Sequence, residues 1–125
     1  MKLRVLICDD SPMIHYMLSN LLAKLDYEVC GIAHDGQEAI EQCARALPDV
    51  ILLDITMPVM NGLEAAQQIL QNHEGIKIII VSAMADIEIQ EQAKALGVYA
   101  YLKKPIDDEQ LAALLEAVEK EKAHG

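Results

Sequence analysis

The chain has 125 residues, 53% of them apolar, and a formal net charge of −10. That apolar content excludes a disordered acidic tail, which could not build a core, and residues 1–125 read as one domain. The acidic excess argues against nucleic acid as a direct partner, because a phosphate backbone recruits positive charge.

In chain order, Leu3–Cys8 is a short apolar run that reads as a strand. Asp9 and Asp10 end it too soon for a signal peptide. Ser11 before Pro12 fits an N-cap with proline at the first helical position. The helix it opens carries an apolar stripe of Ile14, Leu18, Leu21, Leu22 and Leu25, with His15 expected on its surface. A second strand follows at Glu28–Ala33, and Asp35 with Glu38 has capping-box spacing. The second helix presents Ile40, Cys43, Ala44 and Leu47. Val50–Leu53 is a third strand, ending at Asp54.

Asn61 with Glu64 caps a third helix, whose stripe is Ala65, Ala66, Ile69 and Leu70. Ile76–Ser82 is the fourth strand; the apolar stretch 78–85 around it falls far short of the roughly 20 residues of a membrane span. The segment from Asp86 to Leu96 is a weakly amphipathic helix, with Ile89, Ala93 and Leu96 inward, Ile87 exposed and Gly97 closing it. Tyr99–Leu102 is the fifth strand. Asp107 caps a last helix carrying Leu111, Leu114, Leu115 and Val118, and the polar end 119–125 is expected to fray. The three cysteines have no CxxC spacing and read as reduced, buried thiols in a cytoplasmic protein.

The strands are rich in Val and Ile without strict polar alternation, the pattern of strands covered on both faces. Five strand–helix units in alternation imply a parallel sheet with helices on both sides. Right-handed crossovers then favour a doubly wound, flavodoxin-like sheet in the order 2-1-3-4-5 with five helices.

In such a sheet, chemistry sits beyond the carboxyl ends of the strands. There the chain places Asp9 and Asp10 after the first strand, Asp54 after the third, Ser82 at the end of the fourth and Lys104 near the end of the fifth. Clustered carboxylates repel unless a cation joins them, and Mg²⁺ suits oxygen donors while keeping several waters. A carboxylate can also accept a phosphoryl group as an acyl phosphate, with Lys104 neutralising the phosphoryl oxygens and the Ser82 hydroxyl bonding one of them.

The segments VLICDDSP (5–12), ILLDITMPVMNG (51–62), IIIVSAM (78–84) and YLKKP (101–105) together resemble the CheY-like receiver domains of two-component response regulators. The resemblance spans essentially the whole chain. It implies that Asp54 is the phosphoacceptor, with Asp10 a direct Mg²⁺ ligand, Asp9 acting through water, and the Thr56 backbone carbonyl a further ligand. It makes Ser82 and Tyr101 the switch residues and Lys104 the phosphate-binding lysine, joined to Pro105 by a cis bond. Neither Thr56 nor Met84 offers a carboxylate or amide to orient water, which leaves the lifetime of the phosphorylated state open.

The partners the resemblance implies are a histidine kinase as phosphodonor and a protein target. The target would read the face made by the fourth helix, fifth strand and fifth helix. The protein is then not a turnover enzyme, although it promotes its own phosphorylation and dephosphorylation. A stand-alone, monomeric chemotaxis-type regulator with no membrane insertion is the favoured form; the receiver portion of a longer regulator is an alternative. An aspartyl phosphohydrolase would want a second acid where Thr56 stands. A flavodoxin-type carrier would find its FMN phosphate repelled by Asp9 and Asp10.

Overall fold

In the computed structural model, residues 2–84 and 86–124 are described. Ten elements alternate along the chain. They are β1 (Arg4–Cys8), α1 (Pro12–Lys24), β2 (Glu28–Ala33), α2 (Gly36–Ala46), β3 (Val50–Leu53), α3 (Gly62–Asn72), β4 (Lys77–Ser82), α4 (Ile87–Leu96), β5 (Ala100–Lys103) and α5 (Asp108–His124). All strand pairs are parallel, in the order β2-β1-β3-β4-β5. The expected architecture and order are therefore present, with strand ends shifted by a residue or so. Order reverses between β1 and β3, and a cleft at the carboxyl ends of these two strands follows from that reversal.

Successive strand residues point to opposite faces, and the chain uses both. Leu6, Cys8, Ile51, Leu53, Ile78 and Ile80 face α2, α3 and α4, packing on Ala39, Cys43, Ala65, Ala66, Ile69 and Ala93. Val5, Ile7, Val50, Leu52, Ile79 and Val81 face α1 and α5, meeting Leu18, Leu22, Leu111, Leu115 and Val118. With neither Phe nor Trp available, small alanines on α2 and α3 let those helices lie close to the aliphatic sheet. Burying each Leu, Ile or Val contributes about 1.5–3 kcal/mol.

Local signals behave largely as their chemistry requires. Ser11, Asp35 and Asn61 accept hydrogen bonds from the peptide N–H groups of Ile14, Glu38 and Glu64, and Asp107 Oδ1 accepts from Glu109 and Gln110. Asp86 holds the cap position of α4 through its backbone alone, with no side-chain bond. Gly97 closes α4 at φ +99°, where a side chain would be strained. The Lys104–Pro105 bond is cis. Ile87 is exposed, while Ile89 and Leu96 pack against the core that buries Ala93.

Three expectations are corrected. Ala44 and Leu47 do not face inward: α2 buries Gly36, Ala39 and Cys43 instead, and both Ala44 and Leu47 are exposed. Leu47 is the left-handed C-cap of α2, at φ 47°, because the chain must turn there to enter β3. Arg4 covers that helix end, its guanidinium donating to the carbonyls of Ala46 and Leu47. The end of the chain is helical through His124 instead of frayed. Glu119 and Glu121 accept bonds from the hydroxyls of Tyr27 and Tyr99, and Lys122 pairs with Asp49 at 3.1 Å. Gly125 lies outside the described residues. His15 is buried instead of lying on the surface.

Leu47 combines a left-handed backbone with an exposed side chain, so its apolar surface offsets little of the strain. Leu47→Gly should stabilise the protein by about 0.5–1 kcal/mol in urea unfolding, the left-handed penalty of a side chain less the entropy of glycine. No gain would mean that the Leu47 side chain contributes packing equal to that strain.

Candidate functional site

Asp54 follows β3 directly and is 5% exposed. Its Oδ1 accepts the peptide N–H of Ile55 at 2.8 Å. The turn that carries it is tight: Gly62 donates to the Ile55 carbonyl at 2.9 Å. A Cβ at Gly62 would stand 2.0 Å from the Asp54 carbonyl oxygen. Only glycine lets the start of α3 press against the end of β3 in this way, which fixes where the Asp54 peptide lies.

Asp9 follows β1 and is 2% exposed. Its Oδ1 accepts from the Ser11 N–H at 2.9 Å and its Oδ2 from the Lys104 ammonium at 2.8 Å. Lys104 follows β5 and also reaches Asp54 Oδ2 at 3.5 Å. Asp10 is exposed at the rim. Carboxylate oxygens of Asp9, Asp10 and Asp54 all lie within 4.8 Å of one another. Strand order thus brings together the five residues the sequence singles out, since Ser82, wholly buried, ends β4 between β3 and β5.

This donor set fits a hard divalent cation: three carboxylates, two buried and one facing solvent, supply oxygen only and leave room for water. One lysine cannot balance three carboxylates, so a cation removes a repulsion already present. Thr56 sits in the exposed turn two residues past Asp54, and its N–H faces the Asp54 carboxylate.

Ser82 and Tyr101 meet at a third residue. Ser82 Oγ accepts from the Met84 N–H at 3.2 Å, and the Tyr101 hydroxyl donates to the Met84 carbonyl at 2.7 Å. The Tyr101 ring is half-buried against the α3–α4 side of the core. Burial pushes its hydroxyl up, so it remains a donor at neutral pH. The loop continues through Ala85, which lies outside the described residues. Among the cysteines, burial pushes the thiols of Cys8 and Cys43 well up, the latter to about 12, so neither is a reactive thiolate.

The electrostatics of Asp54 and Lys104 are opposed. Burial, reinforced by Asp9, raises the Asp54 carboxyl above its ordinary 3.8, while Lys104 and the peptide N–H groups pull it back. For Lys104, burial favours loss of the proton, but the bond to Asp9 and the charge of Asp54 outweigh it and hold the ammonium above its usual range.

His15 is the residue that sequence reasoning misplaced. It lies three before Leu18 and seven before Leu22, on the buried face of α1, and that periodicity was the available signal. Its ring Nε2 is bonded to the Asp9 carbonyl.

A carboxyl whose folded value is raised favours folding below about pH 4, and that contribution is lost as pH rises through the folded value. In metal-free buffer, Asp54→Asn should therefore be more stable than wild type, by a margin that grows between about pH 4 and pH 7. Urea unfolding of both proteins across that range measures it; a margin that shrinks as pH rises would contradict the burial of an ionised Asp54.

Known proteins share this fold. Residues 5–116 match the response regulator receiver domain family. The chain is 37% identical over 117 residues to the chemotaxis protein CheY of Thermotoga maritima, covering 94% of this chain and 98% of that one. A CheY-like receiver domain protein from Methanospirillum hungatei superposes with a TM-score of 0.91 at 27% identity, over 100% of both chains. CheY in a CheX–CheY–BeF3–Mg complex from Borrelia burgdorferi gives a TM-score of 0.89 at 25% identity, over 93% of this chain and 88% of that one. The chain belongs to the response regulator receiver domain family.

Proposed function

We propose that residues 1–125 act as one phosphorylation switch in which Asp54 accepts a phosphoryl group from a histidine kinase. The observation that carries this reading is the burial of Asp54 and Asp9 around one lysine ammonium, at the ends of β3, β1 and β5.

An oxygen of the Asp54 carboxylate attacks phosphorus in line, and the bond from phosphorus to the donor nitrogen breaks, its electron pair leaving with the imidazole. The product is a mixed anhydride between the Asp54 carboxyl and the phosphoryl group. Partial desolvation leaves the attacking oxygens poorly hydrated. The Lys104 ammonium lies within reach of both Asp9 and Asp54, where it can follow charge onto the phosphoryl oxygens without leaving the site.

Asp9, Asp10, Asp54 and the Thr56 carbonyl are the groups that would hold Mg²⁺. When bound, the ion neutralises the carboxylates and offsets charge on the phosphoryl oxygens. The Mg in the Borrelia CheY complex supports this assignment. The protein would promote its own phosphorylation and dephosphorylation without turning over a separate substrate.

Ser82 Oγ and Tyr101 Oη share Met84. If the Ser82 side chain turns to donate its O–H to a phosphoryl oxygen, its Oγ leaves the Met84 N–H, and the shift of Met84 reaches Tyr101 through the Met84 carbonyl. The face of α4, β5 and α5 would carry that change to a protein target. Phosphorylation biases an existing equilibrium only by interacting differently with its two states. The names of the relatives support a chemotaxis pathway. Among the described residues no helix is long and apolar enough to cross a membrane.

Incubation with acetyl phosphate and Mg²⁺ tests the reading by intact mass. Wild type should gain one phosphoryl group, with none gained in excess EDTA and none by Asp54→Ala; equal gain by Asp54→Ala would overturn it. Tyr101→Ala should be phosphorylated like wild type but lose phosphorylation-dependent partner binding. If Tyr101→Ala retains that binding, Tyr101 is not part of the output.

A further inference from the structure

Among the described residues four polar or charged side chains are buried: Asp9, Asp54, Ser82 and His15. The first three belong to the site above, which leaves an imidazole without an assigned task. A buried polar group costs free energy unless it is bonded, and the bond His15 makes is informative. Side chains on a helix lean toward its N-terminus, so a residue in the first turn of α1 can reach back past the Ser11 cap. The His15 Nε2 does so and meets the backbone carbonyl of Asp9. A carbonyl can only accept, so Nε2 carries the hydrogen.

Asp9 is then held at each of its polar groups. Its N–H donates to the Ala33 carbonyl at 3.1 Å, its carbonyl accepts from His15, and its carboxylate oxygens accept from Ser11 and Lys104. The His15 ring is itself held. The His34 ring stands edge-on to it, with centroids 5.1 Å apart and planes at 79°. His34 Nδ1 in turn lies 3.1 Å from Glu38 Oε1. The Asp9 carbonyl belongs to the peptide that joins Asp9 to Asp10, so its donor, His15, ties down the backbone from which both acidic side chains project.

We propose that His15 is a positioning residue for the acidic cluster: it fixes the Asp9 peptide and so aims the Asp9 carboxylate at Lys104 and at a bound cation. This rests on the reading of Asp9, Asp10 and Asp54 as a cation site. Partners of this kind, one bond removed from a metal ligand, set affinity because they remove the freedom the ligand would otherwise lose on binding. His15→Leu keeps the bulk and apolar contacts of the ring but leaves the carbonyl unpaired; His15→Gln offers an amide N–H of similar reach.

Magnesium titration followed through the amide NMR signals of Asp9 and Asp10 gives the test, with thermal unfolding of the metal-free proteins alongside. His15→Leu should weaken Mg²⁺ binding by about tenfold, and His15→Gln should restore it to within about threefold of wild type. A purely packing role predicts the reverse order, since leucine is the better core residue. Equal binding by wild type and His15→Leu, or equal loss in both variants, would overturn the proposal and leave the cation site standing. Failure of wild type to bind Mg²⁺ would overturn both. A second measurement needs no variant: the imidazole ¹⁵N signals of wild type should show a protonated Nε2 coupled through its hydrogen bond to the Asp9 carbonyl, and a bare Nε2 would overturn the assignment.

Discussion

The Lys104 ammonium lies 2.8 Å from one Asp9 oxygen and 3.5 Å from an Asp54 oxygen. Two carboxylates this deeply buried cannot both be ionised without an opposing charge nearby. A single lysine leaves the cluster short by the charge of one carboxylate, and by more once exposed Asp10 is included. The site is therefore built with an unsatisfied demand for positive charge, which a divalent cation would meet. Raising the Asp54 carboxyl and holding the Lys104 proton are two consequences of that one arrangement.

The rest of the fold supplies the rigidity this arrangement needs. Parallel pairing brings the ends of β1, β3, β4 and β5 to one edge, and the core on each face of the sheet leaves the strands little freedom to shift. Gly62 seats α3 against the Asp54 carbonyl, and Ser11 ties Asp9 to the start of α1. The start of α4 is tied down less. Asp86 lends α4 no side-chain cap and Ile87 stays in solvent, while Ser82 and Tyr101 both engage Met84. A change at the phosphoryl position is transmitted most easily where the backbone is least tied down.

Much of this was legible in the sequence because it is local. Strands buried on both faces show as Val and Ile runs; Ser11 shows as a cap through Pro12, and Asp35 and Asn61 through the glutamates three places on; strict alternation with right-handed crossovers favours the strand order. The strand ends put Asp9, Asp10, Asp54, Ser82 and Lys104 at one sheet edge, and the family resemblance gave each its role. What escaped depended on contacts between distant segments. Leu47 reads as apolar and inward, yet the turn into β3 makes it a left-handed cap. The polar residues after Val118 read as a loose end, but Tyr27, Tyr99 and Asp49 hold them in α5. His15 has the spacing of a core residue and the chemistry of a surface one, and only the approach of the Asp9 carbonyl and the His34 ring decides between them.

The central claim is that Asp54 itself becomes the acyl phosphate. An acyl phosphate, unlike a phosphoserine or phosphohistidine, is reduced by borohydride to an alcohol, so the modified aspartate becomes homoserine. Peptide mass spectrometry of the phosphorylated and reduced protein should locate homoserine at position 54 and nowhere else. Reduction at Asp9 or Asp10, or phosphate retained on Ser82, His15 or His34, would contradict the account.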